Sequence, residues 1–575
     1  MKIKFLRLVF ILSCILFVFH EPLGLEPHHQ NQISDFSIEE VSQQVGLHFT
    51  HEQTNFSFYK NIEPWLSSLS SSVAVVDIDL DGWPDIYLNT GAVNKMNKLF
   101  RNNHDGTFTD VAAKYGLDDV NHNNFSVRSV FFDSDNDGTP ELLLLKSGRK
   151  AFYKKSADGK YQEIPFPDQE DSGFYANAVQ VLDINRDGLL DIIISGTVGR
   201  AEGRSAPLPT NFVHSANGAP TYVYENKGNN IFVLNTEWLK EKPMAFTNAL
   251  GVGDLANHHK SDLWFATDYN EDQILLQEDG YNGYHRSQEI KKNVGAKSGM
   301  SAEVAYLDSD FPYVFVTQVY KPSYMPFGNI LWKYDGEGFV DHAGDFGINR
   351  CGWAWGAKFI DLNNSGQLSL YVANGFIAGE DPQKSYWYKI GVLSAGLQGV
   401  VSSPKYWPDM KGQDLSGHEK DCLFVNEGDN KFYDYAEDPE FNIDRDKLLG
   451  RGVAVIDYLN NGSQALTVSN QKGRAYLYKV THHNENHWIG FKLIGTKSNR
   501  DAIGAKIELW SGSKKMIREL YPLNGYSSQS DSRLHFGLGP VKRVDKIKIY
   551  WPSGKVQEII SGLETNQYHE IKEEI

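Results

Sequence analysis

An acidic nine-residue pattern that keeps returning limits this chain more than anything else in its sequence. Asp77-Ile-Asp79-Leu-Asp81-Gly82-Trp-Pro-Asp85 recurs as Asp133-Ser-Asp135-Asn-Asp137-Gly138-Thr-Pro-Glu141, and again as Asp183-Ile-Asn185-Arg-Asp187-Gly188-Leu-Leu-Asp191. Short apolar runs flank every copy, such as 73–76 and 86–88 around the first. Apolar runs of that length bounded by Asp/Gly turns read as strands, so each copy is a hairpin with an acidic loop. Fainter copies start at Asp254, Asp308, Asp361 and Asp457.

Between successive acidic loops lies a second hairpin, for example Lys98-Leu-Phe-Arg-Asn102-Asn-His-Asp105-Gly106 and Leu423-Phe-Val-Asn426-Glu-Gly428. Asp-Gly pairs such as Asp105-Gly106 and Gly-Asn pairs such as Gly228-Asn229 supply the positive φ that these turns need. Two hairpins per unit predict four strands, and seven units predict a β-propeller. A linear stack would leave an open edge at every unit, whereas a ring hides them. The segment 36–47 resembles 108–117, and the last unit stops early, so the N-terminal segment is expected to complete the seventh blade. The expected fold is all-β: a seven-bladed β-propeller over 34–481, then a small β-rich, sandwich-like domain over 482–575.

The acidic loops have the chemistry of a calcium cage. Oxygens at positions 1, 3, 5 and 9, with glycine at position 6 for the sharp turn, suit a hard cation that takes 6–8 oxygen ligands. The expected structural Ca²⁺ ligands are Asp77, Asp79, Asp81 and Asp85; Asp133, Asp135, Asp137 and Glu141; and Asp183, Asn185, Asp187 and Asp191, for about three ions in all. Zinc or iron would call for convergent His or Cys. The pairs His28-His29, His258-His259 and His482-His483 read as loop or linker histidines. No P-loop and no Gly-x-Ser-x-Gly elbow occurs.

A formal charge of −17 disfavours binding to nucleic acid or anionic lipid. Residues 1–24 open with Lys2, Lys4 and Arg7 and continue into an apolar stretch, the layout of a secretory signal. The expected destination is secreted, periplasmic or cell-surface, with no membrane span in the mature chain. Cys351 and Cys422 are then the remaining thiols, and an oxidising destination would allow them to pair.

The acidic loops resemble the FG-GAP/VCBS repeats of integrin α heads and many bacterial exported proteins. The C-terminal set Asn486-His487-Trp488, Gly495, Asn499-Arg500-Asp501-Ala-Ile-Gly504, Gly525-Tyr526, Phe536-Gly-Leu-Gly539 and Trp551-Pro-Ser-Gly554 resembles the ASPIC/UnbV domain. Together they look like the cartilage acidic protein-like family, a resemblance that brings no agreed catalytic residues.

Function remains open between classes. Trp353 and Trp355 lead into the sixth repeat, and a relative insertion at 376–420 holds Tyr386, Trp387 and Trp407, with a helix expected near 382–397. These rings are either an aromatic platform for a ligand or packing under a capping loop. The reading adopted is a binding or adhesion module for an extracellular glycan or protein, with those five rings at the ligand site. The alternatives are a polysaccharide lyase or hydrolase, or an accessory factor of a biosynthetic cluster; catalysis is the less favoured class.

Overall fold

The alternation of short apolar runs with Asp/Gly turns produces an all-β chain. The computed structural model describes residue 35 onward except 54–58, 119–123, 168–175, 198–207, 213, 216, 240–244, 282, 288–297, 309, 395–397, 437, 439–440, 442 and 444–445. The expected signal segment at 1–24 lies outside the described residues. Phe36–Ile575 forms one compact unit, and no described helix is long and apolar enough to cross a membrane.

Seven sheets follow one another along the chain. Their first strands are Val73–Val76, Ser126–Phe132, Ala178–Leu182, Phe246–Gly253, Ala302–Ala305, Ala354–Ile360 and Leu449–Ile456. Each is followed by antiparallel neighbours in sequence order to make four strands. In the seventh sheet the fourth place is taken by Phe36–Glu40, which pairs antiparallel with 478–482. The first strand of the first sheet lies against that of the seventh. These first strands are buried on both faces, which is why they read as unbroken apolar runs rather than alternating ones.

Two further sheets close the chain. One orders Leu534–Gly539, His487–Ile494 and Tyr568–Lys572; the other orders Lys514–Glu519, Lys506–Ser511, Lys546–Tyr550 and Val556–Ile559. Alternating inward residues, among them Phe491, Ile507, Leu509, Phe536, Ile547 and Ile549, form the core that they share. The insertion at 376–420 carries the helices Trp387–Ser394 and Gln398–Val401. Cys351 and Cys422 form a disulfide.

Candidate functional site

The acidic loops join the first strand of each sheet to the second, and backbone geometry shapes them before any cation is considered. Asp77 accepts the amides of Asp81 and Gly82 at 3.0 Å each. Asp133 does the same for Asp137 and Gly138 at 3.0 and 2.7 Å, and Asp183 for Asp187 and Gly188 at 3.1 and 2.9 Å. The last acid ties the loop to the second hairpin: Asp85 accepts Ile78 N at 3.0 Å and Asn102 N at 2.7 Å, and Asp191 accepts Ile184 N and Asn226 N likewise.

Two loops bring three carboxylates together. One oxygen each from Asp77, Asp79 and Asp85 lie within 4.8 Å of one another, and so do those of Asp133, Asp135 and Glu141. Burial pushes Asp77, Asp79, Asp85, Asp133 and Glu141 up, Asp85 to about 8 and Asp133 and Glu141 to about 7. Asp79 Oδ1, Asp135 Oδ1 and Glu141 Oε1 are buried without a hydrogen-bond partner. An all-oxygen donor set with orphaned buried oxygens fits a hard divalent cation. The remaining acids have protein partners of their own: Asp81 meets His104 Nε2 at 2.7 Å, and Asp137 meets Lys154 Nζ at 2.9 Å.

The loops are not equivalent. Lys154 also contacts Asp135 and stands 3.5 Å from Glu141, so the second cage already holds an ammonium. In the third, Asn185 replaces an acid and donates to Asp187 at 3.0 Å, and no such carboxylate triplet forms among the described residues. The fourth repeat holds a convergence that sequence reading missed. Asp254, His258 and Asp262 come within the same 4.8 Å, with His258 in the loop between two strands. Their i, i+4, i+8 spacing was the available signal. Lys506 pairs with Asp254 there at 2.7 Å.

The fourth residue of every full loop is left-handed, with φ of 62° at Leu80, 59° at Asn136 and Arg186, 55° at Asn364 and 51° at Asn460. Asparagine tolerates that region. These side chains point at the C-terminal sheets: Asn136 accepts Arg500 N at 2.7 Å, Asn364 meets His535 Nε2 at 2.8 Å, and Asn460 accepts Arg533 Nη1 at 2.6 Å. Tyr568 OH donates to Asp457 at 2.8 Å, and Lys515 pairs with Asp310 at 2.7 Å. The repeat loops therefore form the seat of the C-terminal sheets.

From those sheets, residues 522–531 reach into the axis and bond to the first strand of all seven sheets. Val73 N donates to Ser527 O, and the Gln529 amide bonds both Phe131 N and O. Asn524 bonds Val252 N and O at 2.8 Å each and accepts Gln180 Nε2 at 3.0 Å. Gly525 N donates to Ala302 O, Lys358 Nζ to Asn524 O, and Asp531 N to Val455 O. Side chains here imitate a strand, satisfying polar groups that would otherwise be buried unpaired.

The aromatic residues expected at a ligand platform do not form one. Tyr386, Trp387 and Trp407 of the insertion are buried with Trp353 and Trp355 in one cluster that includes Tyr526 of the axial loop. Trp353 stacks on Phe376 at 4.3 Å, Trp387 Nε1 donates to Ser416 Oγ, and Trp407 Nε1 donates to Val401 O. They pack against residues near the starts of first strands, among them Val127, Met300 and Trp355. Apolar rings gain more by mutual burial there than by facing water. The exposed rings of the insertion are Tyr388 and Tyr406.

Family models match in two places: "ASPIC and UnbV" over 495–575, and "FG-GAP-like repeat" over 77–144 and 133–194. The chain carries FG-GAP-like repeats and an ASPIC/UnbV domain. The repeats matched are the first three, whose acidic loops are complete. The ASPIC/UnbV domain supplies the axial loop, the base pairing with Asp254 and the residues seated on Asn136 and Asn364. Among solved structures, the chain is similar to an Agrocybe aegerita lectin described as recognising non-reducing terminal N-acetylglucosamine. That match has 15% identity and a TM-score of 0.32, and covers 48% of this chain and 66%, just under two thirds, of the lectin. It is also similar to virginiamycin B lyase from Staphylococcus aureus, at 9% identity and TM-score 0.38, over 78% of this chain and 99% of that one. The comparison with curated protein sequences gave no match.

Proposed function

We propose that the chain is an exported, calcium-stabilised, seven-bladed β-propeller over about 34–481, joined to a small domain over about 482–575. It works as a binding module for an extracellular glycan or protein rather than as an enzyme. The observation that carries this reading is that residues 522–531 bond to the first strand of each of the seven successive repeat sheets. A scaffold so locked offers its outer faces and the clefts around its acidic loops for recognition. The Cys351–Cys422 disulfide supports an oxidising destination. Orphaned oxygens on Asp79, Asp135 and Glu141 support a bound cation.

A cation that binds only the folded state adds RT ln(1 + [L]/Kd), about 2.7 kcal/mol per site at 100 Kd. Millimolar Ca²⁺ is expected to raise the melting temperature over that in chelator, and Asp79→Ala with Asp135→Ala to remove most of the difference. Superimposable melting curves with and without Ca²⁺ would refute the metal. Retention on polysaccharide and extracellular-protein arrays without turnover is expected; product release from a polysaccharide would overturn the module reading.

A further inference from the structure

We propose that the cleft between the third acidic loop and the ASPIC/UnbV domain binds an acidic sugar residue, a saccharide ring bearing a carboxylate or sulfate. The inference rests on the binding-module reading and gives that module a site and a ligand class. The cleft measures about 330 Å³. It is far larger than a lone inorganic anion needs and within the range of small-molecule sites. Its walls come from both parts of the chain: Asp183, Arg186, Lys260 and Tyr281 from the repeats, and Lys506, Tyr550, Trp551, Gly554 and Lys555 from the ASPIC/UnbV domain.

Charge selects the ligand. On a chain whose net charge is −17, this cleft gathers Arg186, Lys260, Lys506 and Lys555. The acids beside them already have protein donors. Asp183 holds two amides of its own loop, Asp254 pairs with Lys506, and Glu519 accepts Tyr306 OH and Asp254 N. Lys260 reaches Asp279, a fully exposed acid whose hold in water is weak. Lys555 Nζ donates to the backbone oxygen of Glu574 at 2.6 Å.

Arg186 is the best placed of the four. Its guanidinium lies 3.7 Å from the Tyr281 ring centre, and Nη2 donates to His259 O at 3.0 Å. That stacking fixes a planar fork whose Nη1 faces Gly554, where an added Cβ would come within 3.3 Å. A held guanidinium is suited to carboxylate and sulfate oxygens. Tyr281, with one face under Arg186, and Tyr550, with one face under His259, border the cleft and leave apolar ring surface for the carbon face of a sugar ring. Arg186 takes the left-handed fourth position of its loop, where the second and sixth loops have asparagine, so Arg186→Asn removes the cation and keeps the backbone.

Calorimetric titration of the full chain with glucuronic acid, glucose 6-sulfate and glucose tests the site. Both acidic sugars, or one of them, are expected to bind at least tenfold more tightly than glucose, and the stronger identifies the acid group. Arg186→Asn is expected to weaken that binding at least tenfold with an unchanged melting temperature, and Lys555→Gln to weaken it several-fold. Equal binding of glucose, no binding of either acidic sugar, or full affinity in both variants would overturn the proposal. Array retention separates this failure from that of the module reading: retention unchanged in Arg186→Asn sinks the cleft alone, and no retention by the unaltered chain sinks the module.

Discussion

Glu573 fastens three strands of sequence with one carboxylate. It accepts the amides of Thr496, Lys497 and Ser498 at 2.8, 2.8 and 2.9 Å, and the hydroxyls of Ser498 and Ser553. Burial alone would raise its pKa, but the Ser553 hydroxyl and these amides outweigh it and hold the group at about 2. A depressed carboxylate stabilises the fold above its ordinary value of 4.5, and that contribution is lost as the pH falls from 4.5 toward 2. Glu573→Gln is expected to cost about 1.5–3 kcal/mol at neutral pH, read by chemical denaturation. It should also flatten the loss of stability between pH 4.5 and 2; an unchanged acid limb would show that Glu573 is not its source. Gly462 plays a steric part at the same scale: its φ is +81°, and an added Cβ would collide with the Trp488 ring of the ASPIC/UnbV domain.

Among the elements, the strand Phe36–Glu40 has the clearest task. It pairs along its whole length with 478–482 and occupies the place that the chain's last repeat leaves vacant. Without it the strand Tyr476–His482 would present a bare row of amides and carbonyls, a template for another chain. Deleting 25–48 is expected to give a protein that aggregates on concentration, followed by light scattering; a soluble monomer of unchanged melting temperature would make the segment a tail. The insertion teaches the opposite lesson. Its Tyr386, Trp387 and Trp407 are buried in a cluster with Trp65, Trp353 and Phe376, so its helices cover the core.

At the scale of the whole molecule, the repeats and the ASPIC/UnbV domain interlock. The axial loop bonds to every sheet, and Arg128, fully buried, donates to Asn177 O in the third sheet's approach and to Leu523 O and Ser528 O of the loop. Units that share buried polar groups unfold together, because separating them leaves those groups unpaired. A single calorimetric transition is therefore expected. Asn524→Ala, which orphans Val252 N and O, is expected to lower it by about 2–4 kcal/mol of stability without splitting it. Two resolved transitions in the unaltered chain would show that the parts unfold independently.

The sequence alone determined the strands, the acidic loops and the place of the N-terminal segment, because those rest on local rules. Alternation of apolar runs and Asp/Gly turns sets hairpins, and the loop acids first bond to amides four and five residues ahead. What only the tertiary structure decided is everything that depends on distant chain. The seat of the ASPIC/UnbV domain on Asn136, Asn364 and Asn460 and the passage of 522–531 beside the first strands both involve groups hundreds of residues apart in sequence. So it was with Trp353 and Trp355 before the sixth repeat and Tyr386, Trp387 and Trp407 of the insertion: aromatic residues suit a platform or a core equally well. Only their packing into one cluster with Phe125, Met300 and Tyr526, where burial yields more free energy than exposure, made them core.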